Sequence, residues 1–133
     1  MSDDVLHVEL VAADRLVWSG EATMVVARTT EGDVGVLPNH APMLALLVNG
    51  VVDVRTTEGE SWVAAVDEGF LSVAQNRISI LSEHAEMSHE IDLEKARADL
   101  ERARSSGEFH AEGEAEEAVR RAEARIRAVE KAS

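Results

Sequence analysis

The sequence predicts an all-β N-terminal domain followed by a C-terminal antiparallel α-helical hairpin. Short apolar runs separated by turn residues continue to about residue 86. No proline follows Pro42, and ten alanines, the best helix formers, lie between residues 89 and 133. These observations predict a sandwich or barrel of largely antiparallel strands over residues 1–88, and a pair of helices over residues 89–133.

The individual strands are indicated by apolar alternation and by turn signals. Leu6, Val8 and Leu10 alternate with polar residues, which is the pattern of a half-buried strand. The runs that fit strands are residues 6–10, 23–27, 51–56, 61–66, 70–74 and 78–81. Turns are predicted at Thr57–Glu60, where a hairpin signal stands, at Gly69, and at Gln75–Arg77.

The first helix is predicted over Leu93–Arg104. Asp92 is its N-cap candidate, and Ile91 and Ala96 have the spacing of a hydrophobic staple. One narrow apolar stripe runs along it, formed by Leu93, Ala96, Leu100 and Ala103. The Ser105-Ser106-Gly107 sequence ends this helix.

The second helix is predicted over Glu114–Lys131. Its stripe consists of Ala115, Ala118, Val119, Ala122, Ile126 and Val129. A seam lined mostly by alanine holds two helices together weakly, because each buried CH₂ contributes only about 0.8 kcal/mol. The hairpin therefore depends on docking to another surface, either as a permanent brace or as an element that changes partners.

Composition excludes several classes of function. The formal net charge is −13 and aromatic residues make up 3% of the chain. Both values argue against binding to nucleic acid or to anionic membrane surfaces. The sequence has no cysteine, no apolar run near 18 residues and no signal peptide pattern at its N-terminus, which fits a reducing cytosol. No lipid insertion is expected.

The sequence contains no convincing catalytic or metal-binding set. The five histidines are scattered, and His84 and His89 are five residues apart, which points them away from each other on a helix. Gly32–Gly35 lacks the Gly-Lys-Ser/Thr ending of a P-loop. We therefore expect a protein that binds and regulates without catalysing a reaction.

Two segments stand out as candidate contact surfaces. Gly32–Pro42, GDVGVLPNHAP, holds two glycines, two prolines and a histidine, and is either an ordinary turn or a shaped contact surface. Residues 118–133 carry five basic and two acidic residues. These cations either balance the negative end of a helix dipole or meet an acidic surface or a phosphate.

The chain resembles the epsilon subunit of bacterial F-type ATP synthases over about residues 5–96. The match centres on GDVGVLPNHAP. The other matching segments are Val8–Val11, Val17–Ala22, Gly50, Asp67–Val73, Ile78–Leu81, Ala85-Glu86 and Glu90–Asp92. The excess of arginine over lysine fits a GC-rich, actinobacterial-like source.

The resemblance implies a ten-stranded β-sandwich and two α-helices in a non-catalytic rotor subunit of the central stalk. In this family the sandwich binds the gamma subunit and the ring of c subunits, on the cytoplasmic face of the cell membrane. It couples proton-driven rotation to ATP synthesis. The implied c-ring contacts are Asp33, His40 and Pro42.

The resemblance also implies that the hairpin regulates the enzyme. When extended it inhibits ATP hydrolysis by meeting acidic segments of the beta subunits, and the matching cations here are Arg120, Arg121, Arg125 and Arg127. Some relatives instead bind ATP in the folded hairpin as a regulatory ligand. The matching residues here are Glu86, Ile91, Asp92, Lys95, Arg102, Arg121 and Arg125. Lys95 replaces the family's arginine and lacks its bidentate fork. The alternative is that Glu86 and Glu94 form salt bridges with these cations.

Overall fold

The computed structural model describes residues 4–106 and 112–132. It contains nine β-strands, a 3₁₀ turn at Ser88–Glu90 and two α-helices. The strands are β1 Leu6–Ala12, β2 Leu16–Thr29, β3 Gly32–Val36, β4 Met43–Leu47, β5 Gly50–Thr56, β6 Ser61–Val66, β7 Gly69–Ala74, β8 Arg77–Ser82 and β9 Ala85–Met87. The helices are α1 Leu93–Ser106 and α2 Glu112–Ala132.

The 14-residue strand β2 belongs to both layers of the sandwich. Its first half pairs with β1, and its second half pairs with β3 and β5. The register with β5 shifts between Ala22 and Met24, as a β-bulge does. Because of this extra residue, Ala22 and Val25 both face the core although they are three positions apart.

One layer continues from β1 through β8 and β7 to β4, and the other from β2 through β5 and β6 to β9. All these pairings are antiparallel except that of β1 with β8, which is parallel. The predicted all-β fold with mostly antiparallel strands is confirmed, with nine strands described where the resemblance implied ten. The short strands β3, β4 and β9 were not predicted, because none of them alternates apolar and polar residues over four or more positions.

The core lies between the layers and is filled by branched aliphatic side chains. The largest fully buried residues are Leu6, Leu10, Leu71, Ile78, Ile80, Val8, Val25, Val36, Val52, Val63 and Val73. The predicted turns are present. Gly59 has a φ of 85° in the β5–β6 turn, and Gln75 and Asn76 both have positive φ between β7 and β8, as type I′ turns require.

The two helices form the predicted hairpin, which lies on the outer face of the second layer. Helix α2 packs between α1 and strands β5 and β6. The N-cap prediction is confirmed, since the Lys95 amide donates a hydrogen bond to Asp92 Oδ1 at 3.1 Å. Ile91 packs with Val63, Ala65 and Ala128.

The predicted apolar stripes were only partly right. In α1, Ala96 and Ala103 are buried as expected. In α2, Ala124 and Ala128 are 1% and 0% exposed although neither was predicted to face a partner. They are buried because α2 is covered on two sides, by α1 and by the sheet, so a single stripe underestimates its contact surface. The side chain of Ala115, and His110 and Gly107, lie outside the described residues.

Candidate functional site

The segment Gly32–Pro42 is half strand and half loop. Residues 32–36 form β3, whose pairing with β2 puts Gly32 opposite Thr29. Gly32 has a φ of 110°, which a residue with a side chain rarely adopts, so glycine is needed to start this strand. The remaining residues run along the surface as a loop to Met43.

The loop is held against the β7–β8 turn by paired asparagines. The backbone N–H of Asn39 donates to Asn76 Oδ1 at 2.5 Å, and the side-chain Nδ2 of Asn76 donates to Asn39 Oδ1 at 3.3 Å. Asn39 Nδ2 also donates to Asp4 Oδ2 at 2.8 Å. These bonds join three distant parts of the chain, so the loop is a shaped surface at this end of the sandwich.

The three residues predicted to meet a c ring lie along this segment. Asp33 is on β3, and its Oδ1 accepts a hydrogen bond from Arg28 Nε at 3.1 Å. His40 and Pro42 lie in the loop, where Pro42 is exposed and the His40 amide donates to Leu37 O at 3.2 Å.

An exposed apolar row crosses the outer face of the first layer. Strand register places Leu46 beside Phe70 and Phe70 beside Leu81, and these side chains are 52%, 48% and 48% exposed. Leu44, two residues before Leu46, is 71% exposed. Adjacent exposed apolar side chains mark an interaction surface. The sequence carried a signal that was missed, since apolar residues stand at the outward-facing positions of these strands, where a half-buried strand has polar ones.

The junction between α2 and the sandwich is the most charged contact in the described structure. Three cations of α2 reach acidic groups of the sandwich. The pairs are Arg125 Nε with Glu86 Oε1 at 2.5 Å, Arg121 Nε with Asp67 Oδ2 at 3.4 Å, and Lys131 Nζ with Asp53 Oδ2 at 3.8 Å. We call these three pairs the docking ion pairs.

Within the docking ion pairs, the carboxylate form of Asp67 is destabilised by burial. Its carboxyl is buried at the end of β6, and this burial raises its pKa above the ordinary value of 3.8, although Arg121 and Arg125 oppose the shift. Asp67 Oδ2 and Arg121 Nε are both buried but do not form a hydrogen bond with each other. Arg121 instead donates through Nη2 to Glu117 Oε1 at 2.7 Å.

The residues predicted to hold ATP already have partners within the chain. Lys95 and Arg102 both contact Asp99, at 3.1 Å each. The Lys95 hydrogen bond lowers the pKa of Asp99, with smaller contributions from Arg102 and from Arg125 of α2. Lys95 and Arg102 of α1 are thus close to Arg125 of α2, and Arg125 also contacts Glu86. Arg120 and Arg127, predicted to meet an acidic partner, are exposed.

The described residues contain no group of three or more side chains arranged to hold a metal ion. Among them, no helix is long and apolar enough to cross a membrane.

Comparisons with known proteins agree with the motifs. Residues 5–88 match the family model described as ATP synthase, delta/epsilon chain, beta-sandwich domain. The ATP synthase epsilon chain of Streptomyces avermitilis is 56% identical over 93% of this chain and 94% of its own length. That of Corynebacterium efficiens is 46% identical over 96% and 95%.

Two solved assemblies contain chains of similar structure. One is the Euglena gracilis mitochondrial ATP synthase, OSCP/F1/c-ring, in which a chain is 25% identical with a TM-score of 0.81 over 92% of this chain and 80% of that one. The other is the Tetrahymena thermophila mitochondrial ATP synthase, central stalk/c-ring. It is 17% identical with a TM-score of 0.56 over 96% and 95%, which shows the fold alone.

Proposed function

Because this chain belongs to the ATP synthase delta/epsilon family and is a non-catalytic subunit, we propose that it works in the rotor of a proton-translocating synthase. Residues 1–88 bind the other rotor subunits, and residues 89–133 regulate the enzyme. The chain transmits c-ring rotation to ATP synthesis while its hairpin controls ATP hydrolysis. It lies peripherally on the cytoplasmic face of the cell membrane.

The exposed apolar row is the surface that supports binding to the gamma subunit. Leu46, Phe70 and Leu81 form a continuous patch across three strands, and such a patch is stabilised when a partner covers it. The braced loop of Gly32–Pro42 lies elsewhere on the sandwich and suits the c ring. In this proposal Asp33, His40 and Pro42 contact the ring.

Co-purification with gamma tests this surface. Phe70→Asp places a charge in the middle of the row, and we expect it to weaken the complex at least about tenfold, because a buried unpaired charge costs several kcal/mol. Ala74→Asp is the matched control, since Ala74 is an exposed residue of the same strand outside the row. Equal retention of gamma by both variants would count against the assignment.

The proposal that the hairpin regulates the enzyme rests on the contacts that hold it against the sandwich. In the buried apolar cluster at the sheet, α2 contributes one small side chain, Ala128, which packs with Val63 and Ala65 and has Val51 and Ile91 beside it. The docking ion pairs add three polar contacts. A contact with few buried apolar groups and three ion pairs can be broken at a small cost in free energy, as a two-state element requires.

Release would also free cations for an acidic partner. Arg121 and Arg125 are engaged by Asp67 and Glu86 while the hairpin is docked, whereas Arg120 and Arg127 are exposed. All four meet the beta subunits only after undocking. Removal of residues 90–133 from the assembled enzyme should therefore raise ATP hydrolysis, and unchanged hydrolysis would refute an inhibitory hairpin.

A second candidate function is ATP binding in the docked hairpin. It is favoured by the cations of both helices around Asp99 and by the buried Arg121 Nε that lacks a hydrogen bond. ATP would have to replace Glu86 and Asp67 on Arg125 and Arg121. Isothermal titration of the full chain tests this, with Arg121→Ala expected to abolish the heat. No heat from the unmodified chain at millimolar ATP would exclude it.

A further inference from the structure

A cationic cleft lies along α2, away from the pairs that involve Arg121 and Arg125. It encloses about 210 Å³ between α2 and the outer face of β2, β3 and β5. Its lining residues are Val26, Arg28, Asp33, Val51, Arg127 and Lys131. We call it the α2–β2 cleft. Three cations line this one small cleft although the net charge of the chain is −13.

The acidic neighbours do not fully occupy these cations. Arg28 pairs with Asp33, but both side chains are more than half exposed, so this pair contributes little. Lys131 lies 3.8 Å from Asp53, whose other oxygen accepts a hydrogen bond from Ser61 Oγ at 2.9 Å. Arg127 has neither an ion pair nor a hydrogen bond to any described residue. The cleft therefore has a free guanidinium at its rim.

We infer that the α2–β2 cleft binds a phosphate-type oxyanion, either a free ion or the phosphoryl group of a larger ligand. The planar guanidinium of Arg127 offers the bidentate donor geometry that phosphate oxygens accept, and Lys131 and Arg28 add charge. Val26 and Val51 form an apolar wall that excludes part of the surrounding water. The cleft is separate from the residues assigned to ATP above.

The cleft has two halves that belong to different parts of the chain. Arg28 and Asp33 come from the sandwich, while Arg127 and Lys131 come from α2. The site is complete only when the hairpin is docked, so a bound oxyanion stabilises the docked hairpin by linkage. Any effect of this on ATP hydrolysis rests on the proposed function, but binding itself does not.

The test uses the full chain titrated with inorganic phosphate and with pyrophosphate at constant ionic strength, read by amide NMR shifts. We expect shifts at Val26, Val51, Arg127 and Lys131. Arg127→Ala should raise the dissociation constant at least about fivefold, because a charge-assisted bond is lost. Arg120→Ala removes the same charge from an exposed position of the same helix outside the cleft, and should leave the constant unchanged.

Equal weakening in both variants, or no saturable shifts, would overturn the inference. ATP and adenosine identify the source of the phosphoryl group. The same shifts with ATP and none with adenosine support a nucleotide phosphate, and shifts with pyrophosphate alone support a free ion. Shifts confined to residues near Arg121 and Arg125 would contradict the cleft. Since no hydrolysis is measured, the result is independent of the hairpin truncation experiment.

Discussion

The sandwich and the hairpin solve the same packing problem with different side chains. The sandwich core is filled by leucine, isoleucine and valine from both layers, whereas the most buried residues of the helices are alanines: Ala96, Ala103, Ala122, Ala124 and Ala128. Each alanine buries a single methyl group, so the helical contact gains far less from the hydrophobic effect. The hydrophobic effect therefore stabilises the sandwich core more than it stabilises the docked hairpin.

Polar contacts also distinguish the attachment of the hairpin from the packing inside the sandwich. The hairpin is joined to the sandwich by the docking ion pairs, which weaken as salt is added when they are solvent-accessible. Docking of the hairpin should therefore respond to solution conditions that leave the sandwich unchanged. The following experiments test this contrast.

The largest effect is expected in the sandwich core. Leu71 is 0% exposed, and Leu71→Ala leaves a cavity that should cost about 2–5 kcal/mol of the free energy of unfolding, measured by denaturant titration. Leu44→Ala is the control, because Leu44 is 71% exposed and should change stability by less than about 0.5 kcal/mol. Similar losses in both variants would mean that the core is not where the stability lies.

The next effect separates the two regions. Ala128 is 0% exposed and packs against Val63 and Ala65. Ala128→Leu therefore overpacks this junction and should reduce the free energy of hairpin docking by about 1–3 kcal/mol. Hydrogen exchange should accelerate in α2 while the amides of β8 stay protected. Ala98→Leu adds the same volume at an exposed position of α1 and should not do so. Loss of protection in both elements would show that sandwich and hairpin unfold together.

A smaller effect is expected from one docking ion pair. Arg125→Gln removes the partly buried contact with Glu86 and should weaken docking by about 1 kcal/mol, again seen as faster exchange in α2. Arg120→Gln is the matched change at an exposed position of the same helix. The difference between the two variants should shrink at high salt, and a difference that is unaffected by salt would argue against an electrostatic contact.

The smallest effect is a pH dependence at Asp67. Its pKa is raised in the folded chain, so its stabilising contribution is fully present below 3.8 and is lost as the pH rises through the raised value. The unmodified chain should therefore gain stability relative to Asp67→Asn as the pH falls from about 7 towards 3.8. A constant difference between the two chains over this range would contradict the raised pKa.

Much of the fold was predictable from local pattern. Leu6, Val8 and Leu10 marked β1 by alternation, and Thr57–Glu60 marked the β5–β6 turn. Asp92 was identified as an N-cap from its residue type and position. Strand β3 was missed because its Gly-Asp-Val-Gly-Val sequence looks like a turn, and only pairing with β2 makes it a strand.

The sites were less predictable because their parts are far apart in the chain. The cations of α2 were visible as a cluster and Glu86 was a candidate partner, but Asp67, which lies on the sandwich, was not recognised. The apolar row of Leu46, Phe70 and Leu81 exists only because β4, β7 and β8 are neighbours in the sheet.

Local sequence pattern was enough to predict the two-part architecture, the order of the main strands and helices, and the family. These depend on periodicity, on turn and cap residues and on motifs, which act over a few neighbouring positions. The folded arrangement was needed to establish that β1 pairs parallel with β8, that α2 is covered on two sides, and that Asp67 lies against Arg121. Those choices depend on contacts between distant segments, whose free energies are set by how the layers pack and not by local sequence.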